Sequence, residues 1–246
     1  MDRLIYTAMT GAKHILEQQA NTSHNLANAT TTGFRAQLDS FRAVPIISDG
    51  LPTRAFVVDS TVGTDFSVGP IQNTGRDLDV AVQGKGWIAI QHDDGSEAYT
   101  RHGSLKLSEN GVLQTQGGLA VLGDAGPISI PPDVSIAIAK DGTVSSIPNS
   151  SKPGAVTVLG RIKLVNPPEE NMTRADDGLF RTKDGSPVDA DVAVTVIGGS
   201  LEGSNVNVVD AMVSMINLAR QFEMHMNLLK NAESNANKAG QILSLS

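Results

Sequence analysis

No cysteine occurs in the 246 residues of this chain. That removes disulfide frameworks, thiolate metal sites and cysteine nucleophiles together. Aromatic residues make up only 4%, too few for a platform on which bases stack. Basic residues are outnumbered and the formal charge is −7, which argues against a binder of phosphate backbones. No stretch reaches the ~20 apolar residues of a membrane-spanning helix. The opening Met1-Asp2-Arg3-Leu4-Ile5-Tyr6 lacks the basic-then-apolar order of a secretory signal, so any export is expected to follow another route.

Proline is missing from both ends. The first is Pro45 and the last Pro187, leaving the termini free of the strongest helix breaker. The charge divides the same way. Residues 1–34 and 208–246 are each neutral, and the whole −7 lies between them, where 14 Lys and Arg face 21 Asp and Glu. This layout predicts two helical arms around a turn-rich body.

Both arms carry a repeat that alternates spacings of three and four. In the first, Ile5, Ala8, Ala12, Ile15, Gln19, Thr22 and Leu26 share one helix seam. Asp2 is placed to cap it, and Gly33 to stop it. In the second, Val208, Met212, Met215, Ala219, Phe222, Met226, Leu229, Glu233, Ala236, Gly240 and Leu243 keep the spacing. Asn207 and Asp210 have the offset of a capping box, and Val206 with Ala211 that of a hydrophobic staple. Helices packed on their own core and helices packed on other copies both account for such stripes. The seams are narrow and broken by Gln19, Thr22 and Glu233, and the far faces hold few Glu–Lys pairs, so order gained by packing on other copies is favoured.

The middle predicts β structure. Leu78, Val80 and Val82 alternate with Asp79 and Ala81. Asn110-Gly111 and Asp141-Gly142 each sit between short apolar-alternating runs, a hairpin signal. Runs at 87–90, 160–165 and 192–197 add strands, and Pro131-Pro132 and Asn149 to Pro153 look like loops. The absence of strand–helix alternation argues against a doubly wound or barrel fold of the α/β kind. The expected fold class is α+β: paired N- and C-terminal α-helices as an inner helical domain (1–34 and 202–246), with an all-β body at 35–201 that has room for a subsidiary lobe near 125–160.

No assembled catalytic, cofactor or metal site is legible. Gly84-Lys85-Gly86 leads into a strand pattern, whereas a dinucleotide loop needs a helix N-terminus. His14, His24, His92, His102 and His225 are scattered. His92-Asp93-Asp94-Gly95, Asp176-Asp177-Gly178 and Asp184-Gly185-Ser186 have turn composition.

Two segments are more specific. Asn25-Leu26-Ala27-Asn28 with Thr32-Gly33-Phe34, and Leu201-Glu202-Gly203-Ser204-Asn205-Val206, resemble the two signatures of the bacterial flagellar rod and hook family. Leu78 to Val82, Gly86-Trp87 and Tyr99-Thr100-Arg101-His102-Gly103 match the same family in order. The opening Ile5 to Met9, Gly33 to Gln37 and Arg42 to Pro45 are most similar to its proximal rod members, with a distal rod or hook-type axial protein as the alternative. A secreted β-domain binding protein is the reading from another class. The resemblance implies a structural, non-enzymatic subunit of the basal-body rod that spans the periplasm, transmits torque and lines the export channel. It implies partners in other copies of itself, other axial proteins and the type III export apparatus, with no nucleic acid, cofactor or membrane span. On this reading Ile5, Ala8, Ala12, Ile15, Leu26, Met212, Met215, Ala219, Phe222, Met226 and Leu229 form the assembly interface. Asn25, Asn28, Gly33, Phe34, Ser204 and Asn205 form the joint of arm and body.

Overall fold

The computed structural model describes residues 2–45, 55–148 and 156–244, so the expected loop at Asn149 to Pro153 lies outside the described residues. Helix α1 runs Asp2–Ala27 and helix α2 Val208–Ser244. They are the two α-helices among the described residues. The capping prediction for α2 holds in a modified form. The Asn207 side-chain oxygen accepts from the amides of Val209 and Asp210 at 3.0 and 3.4 Å. The acid three residues on accepts from the Asn207 side-chain amide, at 2.7 Å, instead of from its backbone. Helix α1 ends before Gly33. Asn28 closes it, donating from its side chain to the His24 carbonyl at 2.9 Å.

The chain divides into two compact units. The first holds 1–29, 36–65 and 206–246. The expected fold class is corrected here, because the helices do not form a purely helical domain set against a body that takes all the β structure. Strands β1 (Gln37–Pro45) and β2 (Ala55–Thr64) pair antiparallel, with a register shift at Ser40/Phe41, and belong to the helical unit. The physical reason is a run of contacts along α1. The Asn25 side chain pairs with the Gln37 backbone twice, at 2.8 Å each way, as a neighbouring strand would. Asn21 donates to the Asp39 carboxylate. The Phe41 ring meets His14 edge-on at 6.0 Å.

The second unit holds 30–35 and 66–205. Its main sheet is antiparallel throughout, in the order 172–174, 180–182, 97–100, 87–91, 120–123, 113–115, 105–107. Strands 126–127 and 164–165 pair onto 120–123 and 87–91. A separate three-stranded sheet is built from 134–138, 143–148 and 157–161. Both hairpin signals sit at turns between paired strands. Gly111 and Gly142 take φ +77° and +84° there, a region L side chains rarely enter. Among the described residues of this unit a 3-10 turn at Glu169–Asn171 is the helical exception. The core joins Val80, Val82, Ile88, Ile90, Leu105, Leu113, Val121, Ile162 and Val196, all essentially inaccessible. A second cluster packs Trp87, Tyr99, Met172 and Phe180, with the Trp87 and Phe180 rings 4.5 Å apart.

Candidate functional site

In the helical unit the α1 seam lies where its spacing put it. Ala8, Ala12 and Ile15 are buried, and Ile5, Gln19, Thr22 and Leu26 are half-buried. The α2 seam is out of phase with the prediction. Met215, Phe222 and Leu229 are half-buried, but Met212, Ala219, Met226 and Glu233 are exposed, and Val208 too. The covered positions alternating with Met215, Phe222 and Leu229 are Ala211, Leu218, His225 and Ala232. Both sets satisfy the three-four spacing, which therefore fixes a helix but not the side on which the seam closes. The side chains of Ala236, Gly240 and Leu243 lie outside those described. Gly11 of α1 faces His225 so closely that a Cβ there would meet its Cε1 at 2.6 Å. An open groove of about 480 Å³ is lined by Gln18, Thr22, Asp39, Phe41, Leu218 and Gln221, among others.

In the body, three short segments converge on Glu202. One follows α1 (30–35), one begins the main body at Phe66, and one follows strand 97–100 at Arg101, while Glu202 itself lies in the segment that precedes α2 (200–205). The Glu202 carboxylate accepts from Arg35 Nη2 at 2.7 Å, from Arg101 Nη1 at 2.8 Å and from the Gly69 amide at 2.9 Å. All three charged side chains are at most 3% exposed. Arg101 also donates to the Val82 and Gly84 carbonyls. Two guanidinium groups on one carboxylate leave a positive surplus. The Trp87 ring answers part of it, 5.4 Å from Arg101 Cζ and 6.0 Å from Arg35 Cζ. Burial pushes Arg101 down from the ordinary guanidinium range; Glu202 opposes that and Arg35 reinforces it. Arg35 Nε and Nη1 and Arg101 Nε have no acceptor among the described residues. The cluster thus depends on Glu202, because removing one partner of a buried pair leaves a buried charge uncompensated.

Backbone contacts complete the convergence. The Gly33 amide donates to the Glu202 carbonyl at 2.8 Å, Gly203 to Pro70 at 2.8 Å and Asn205 to Phe34 at 3.4 Å. Gly33 is glycine for two reasons: φ is +69°, and a Cβ would lie 2.4 Å from the Arg101 carbonyl carbon. Gly69 is equally constrained, since a Cβ would lie 2.1 Å from the Gly203 oxygen. The Asn205 side chain donates to the Ser67 carbonyl and hydroxyl. Phe34 is buried beneath the Arg174 guanidinium, 4.7 Å from its ring, and Arg174 also donates to the Arg35 carbonyl.

Of the expected joint residues, Gly33, Phe34, Ser204 and Asn205 thus belong to this convergence in the body, while Asn25 and Asn28 act in the helical unit. Sequence reasoning did not single out Arg35, Arg101, Glu202 or Trp87. A usable signal was present: each of the three charges stands in a motif otherwise built of small, aromatic or uncharged residues.

The candidates set aside on sequence grounds have structural roles here. Gly84 to Gly86 leads into strand 87–91. His92 to Gly95 is a turn, where the Ser96 hydroxyl and amide hold the Asp94 carboxyl at about 2. Among the described residues no helix is long and apolar enough to cross a membrane, and no group of three His, Cys, Asp or Glu is placed to hold a metal ion.

The chain matches two family models: the flagellar hook protein FlgE/F/G D1 domain over residues 81–146 and the flagellar basal body rod FlgEFG protein C-terminal region over 197–242. The second covers Glu202 and most of α2. Among curated proteins it is 47% identical to the flagellar basal-body rod protein FlgF of Escherichia coli strain K12 and 45% identical to that of Salmonella typhimurium strain LT2, over all of both chains in each case. It is 28% identical to the rod protein FlgG of Buchnera aphidicola from Schizaphis graminum, over 89% of this chain and 92% of that one.

Proposed function

This chain belongs to the flagellar basal-body rod protein family, and from that premise we propose that it is a structural subunit of the proximal rod, residing in the flagellar basal body. The full-length identity of 47% to a rod protein carries the reading. The higher identity to FlgF than to FlgG proteins favours the proximal over the distal position.

The activity is ordered association with copies of itself and with other axial proteins. Contacts between unlike patches extend a stack without closing it. The terminal helices supply the apolar side chains for this, each large one contributing on the order of 1.5–3 kcal/mol when buried. That gain must exceed the entropy of ordering the arms. The convergence on Glu202 gives the body its part in the work. It holds the segment that follows α1 and the segment that precedes α2 in one buried cluster of two guanidinium groups on one carboxylate. A shaft under torque needs such fixed exits more than a flexible linker does. Passage through the type III export apparatus is part of the same reading.

Deleting the gene tests it. The expected result is cells without swimming motility whose purified basal bodies stop short of the hook, restored by the gene in trans. Normal basal bodies in the deletion strain would refute the reading.

A further inference from the structure

The buried cluster around Glu202 does not balance. Two guanidinium groups face one carboxylate, and all three side chains are closed off from water. Neither Arg35 nor Arg101 pairs with a second carboxylate among the described residues. A third guanidinium stands close by and adds no acid: Arg174 donates to the Arg35 carbonyl at 3.2 Å and lies over the Phe34 ring. The chain as a whole is acidic, with a formal charge of −7, yet this part of its interior holds a positive surplus. A buried charge without a counter-charge is strongly destabilising.

The hydrogen-bond account falls short at the same place. Glu202 Oε1 is taken by Arg35 and the Gly69 amide, and Oε2 by Arg101. The Val82 and Gly84 carbonyls are taken by Arg101 as well, and the Glu202 carbonyl by the Gly33 amide. Arg35 Nε and Nη1 and Arg101 Nε are left over, buried and with no acceptor among the described residues. Both guanidinium groups border the same carboxylate and the same indole ring, so the unanswered donors and the surplus charge share one small region. The Trp87 ring attracts the cations but brings no net negative charge. A water molecule would accept some of the N–H groups and leave the surplus where it is. An anion answers both shortfalls, and with one negative charge the cluster sums to zero.

We propose that the body binds one small monovalent anion, of chloride size, against Arg35 and Arg101 beside Trp87. The close packing of buried Phe34, Trp87 and Tyr99 selects a small ion, and a divalent one would overshoot the charge. The anion is a structural ligand. It secures Arg35, in the segment after α1, and Arg101, which grips Glu202 in the segment before α2. The proposal stands apart from the rod reading and does not depend on it.

Urea unfolding of the full-length chain tests it, at constant ionic strength, with sodium chloride exchanged stepwise for sodium gluconate. Trp87, the one tryptophan of the chain, reports on the site by its fluorescence. Once chloride exceeds its dissociation constant, each further tenfold rise should raise the folding equilibrium constant about tenfold. Bromide should act alike. In Arg35→Met the cluster is neutral without an added ion, and the dependence should vanish. A parent indifferent to chloride would overturn the proposal. So would an equal chloride response in parent and Arg35→Met, the mark of a general salt effect. Independently of the variant, crystals of the full-length chain grown in bromide should show an anomalous peak within hydrogen-bond reach of Arg35 and Arg101. Crystals without such a peak would overturn the proposal too.

Discussion

Glu202 holds the two arginines at the residue scale, and its replacement is the sharpest local test. Glu202→Gln keeps the shape but leaves Arg35 and Arg101 buried with their charges unmatched. The expected loss is about 3 kcal/mol or more, read as a lower denaturation midpoint of the body with an unchanged denaturant slope. A midpoint within error of the parent would show that the cluster contributes nothing to stability. Tyr99 allows a second test, by pH. Its ring is buried and its hydroxyl accepts the Val188 amide at 3.0 Å. Burial is the main cause of a phenol held well above its ordinary range, with the Val188 amide opposing and nearby Glu97 adding to the rise. A group whose folded pKa is raised contributes stability that is complete below its unfolded value of about 10 and is lost as pH climbs beyond it. Tyr99→Phe should therefore be somewhat less stable near neutrality, because the amide loses its acceptor, yet decline less as pH rises above about 10. Parallel alkaline limbs for parent and variant would contradict this.

Elements show what periodicity can and cannot tell. The three-four spacing located both helices, and the Asn207 signal located the start of α2. Asn207→Ala should fray that end, costing about 1 kcal/mol. Amide exchange at Val209 and Asp210 should quicken while exchange in the last turns stays the same; equal protection at those two amides would argue against the cap. The side of α2 that is covered was not legible, because α2 is apolar on two flanks. A stripe through Met212, Ala219 and Met226 and one through Ala211, Leu218 and His225 share Met215, Phe222 and Leu229, so pattern alone cannot choose between them. The neighbour chooses, by fitting Gly11 against His225. The strand pair of 37–45 and 55–64 was missed as a member of the helical unit for a related reason. What ties it there is Asn21, Asn25 and His14, polar residues on α1 whose partners are distant in sequence. The convergence on Glu202 was equally hidden, since Arg35 and Glu202 are 167 positions apart. The body hairpins were legible because Asn110-Gly111 and Asp141-Gly142 act locally, through the backbone freedom of their glycines.

The whole molecule segregates its charge. Its net −7 resides between the arms, and the arms are neutral and carry exposed apolar ridges. Acidic bodies discourage indiscriminate clumping, while neutral helices remain free to meet. On the proposed reading, that is the balance of a subunit added in order to a growing stack. The most direct test is a density map of the basal body purified from cells carrying this gene in its native locus. The account predicts this chain in the rod, next to the inner-membrane end. A basal body whose rod contains no density for this chain would contradict it.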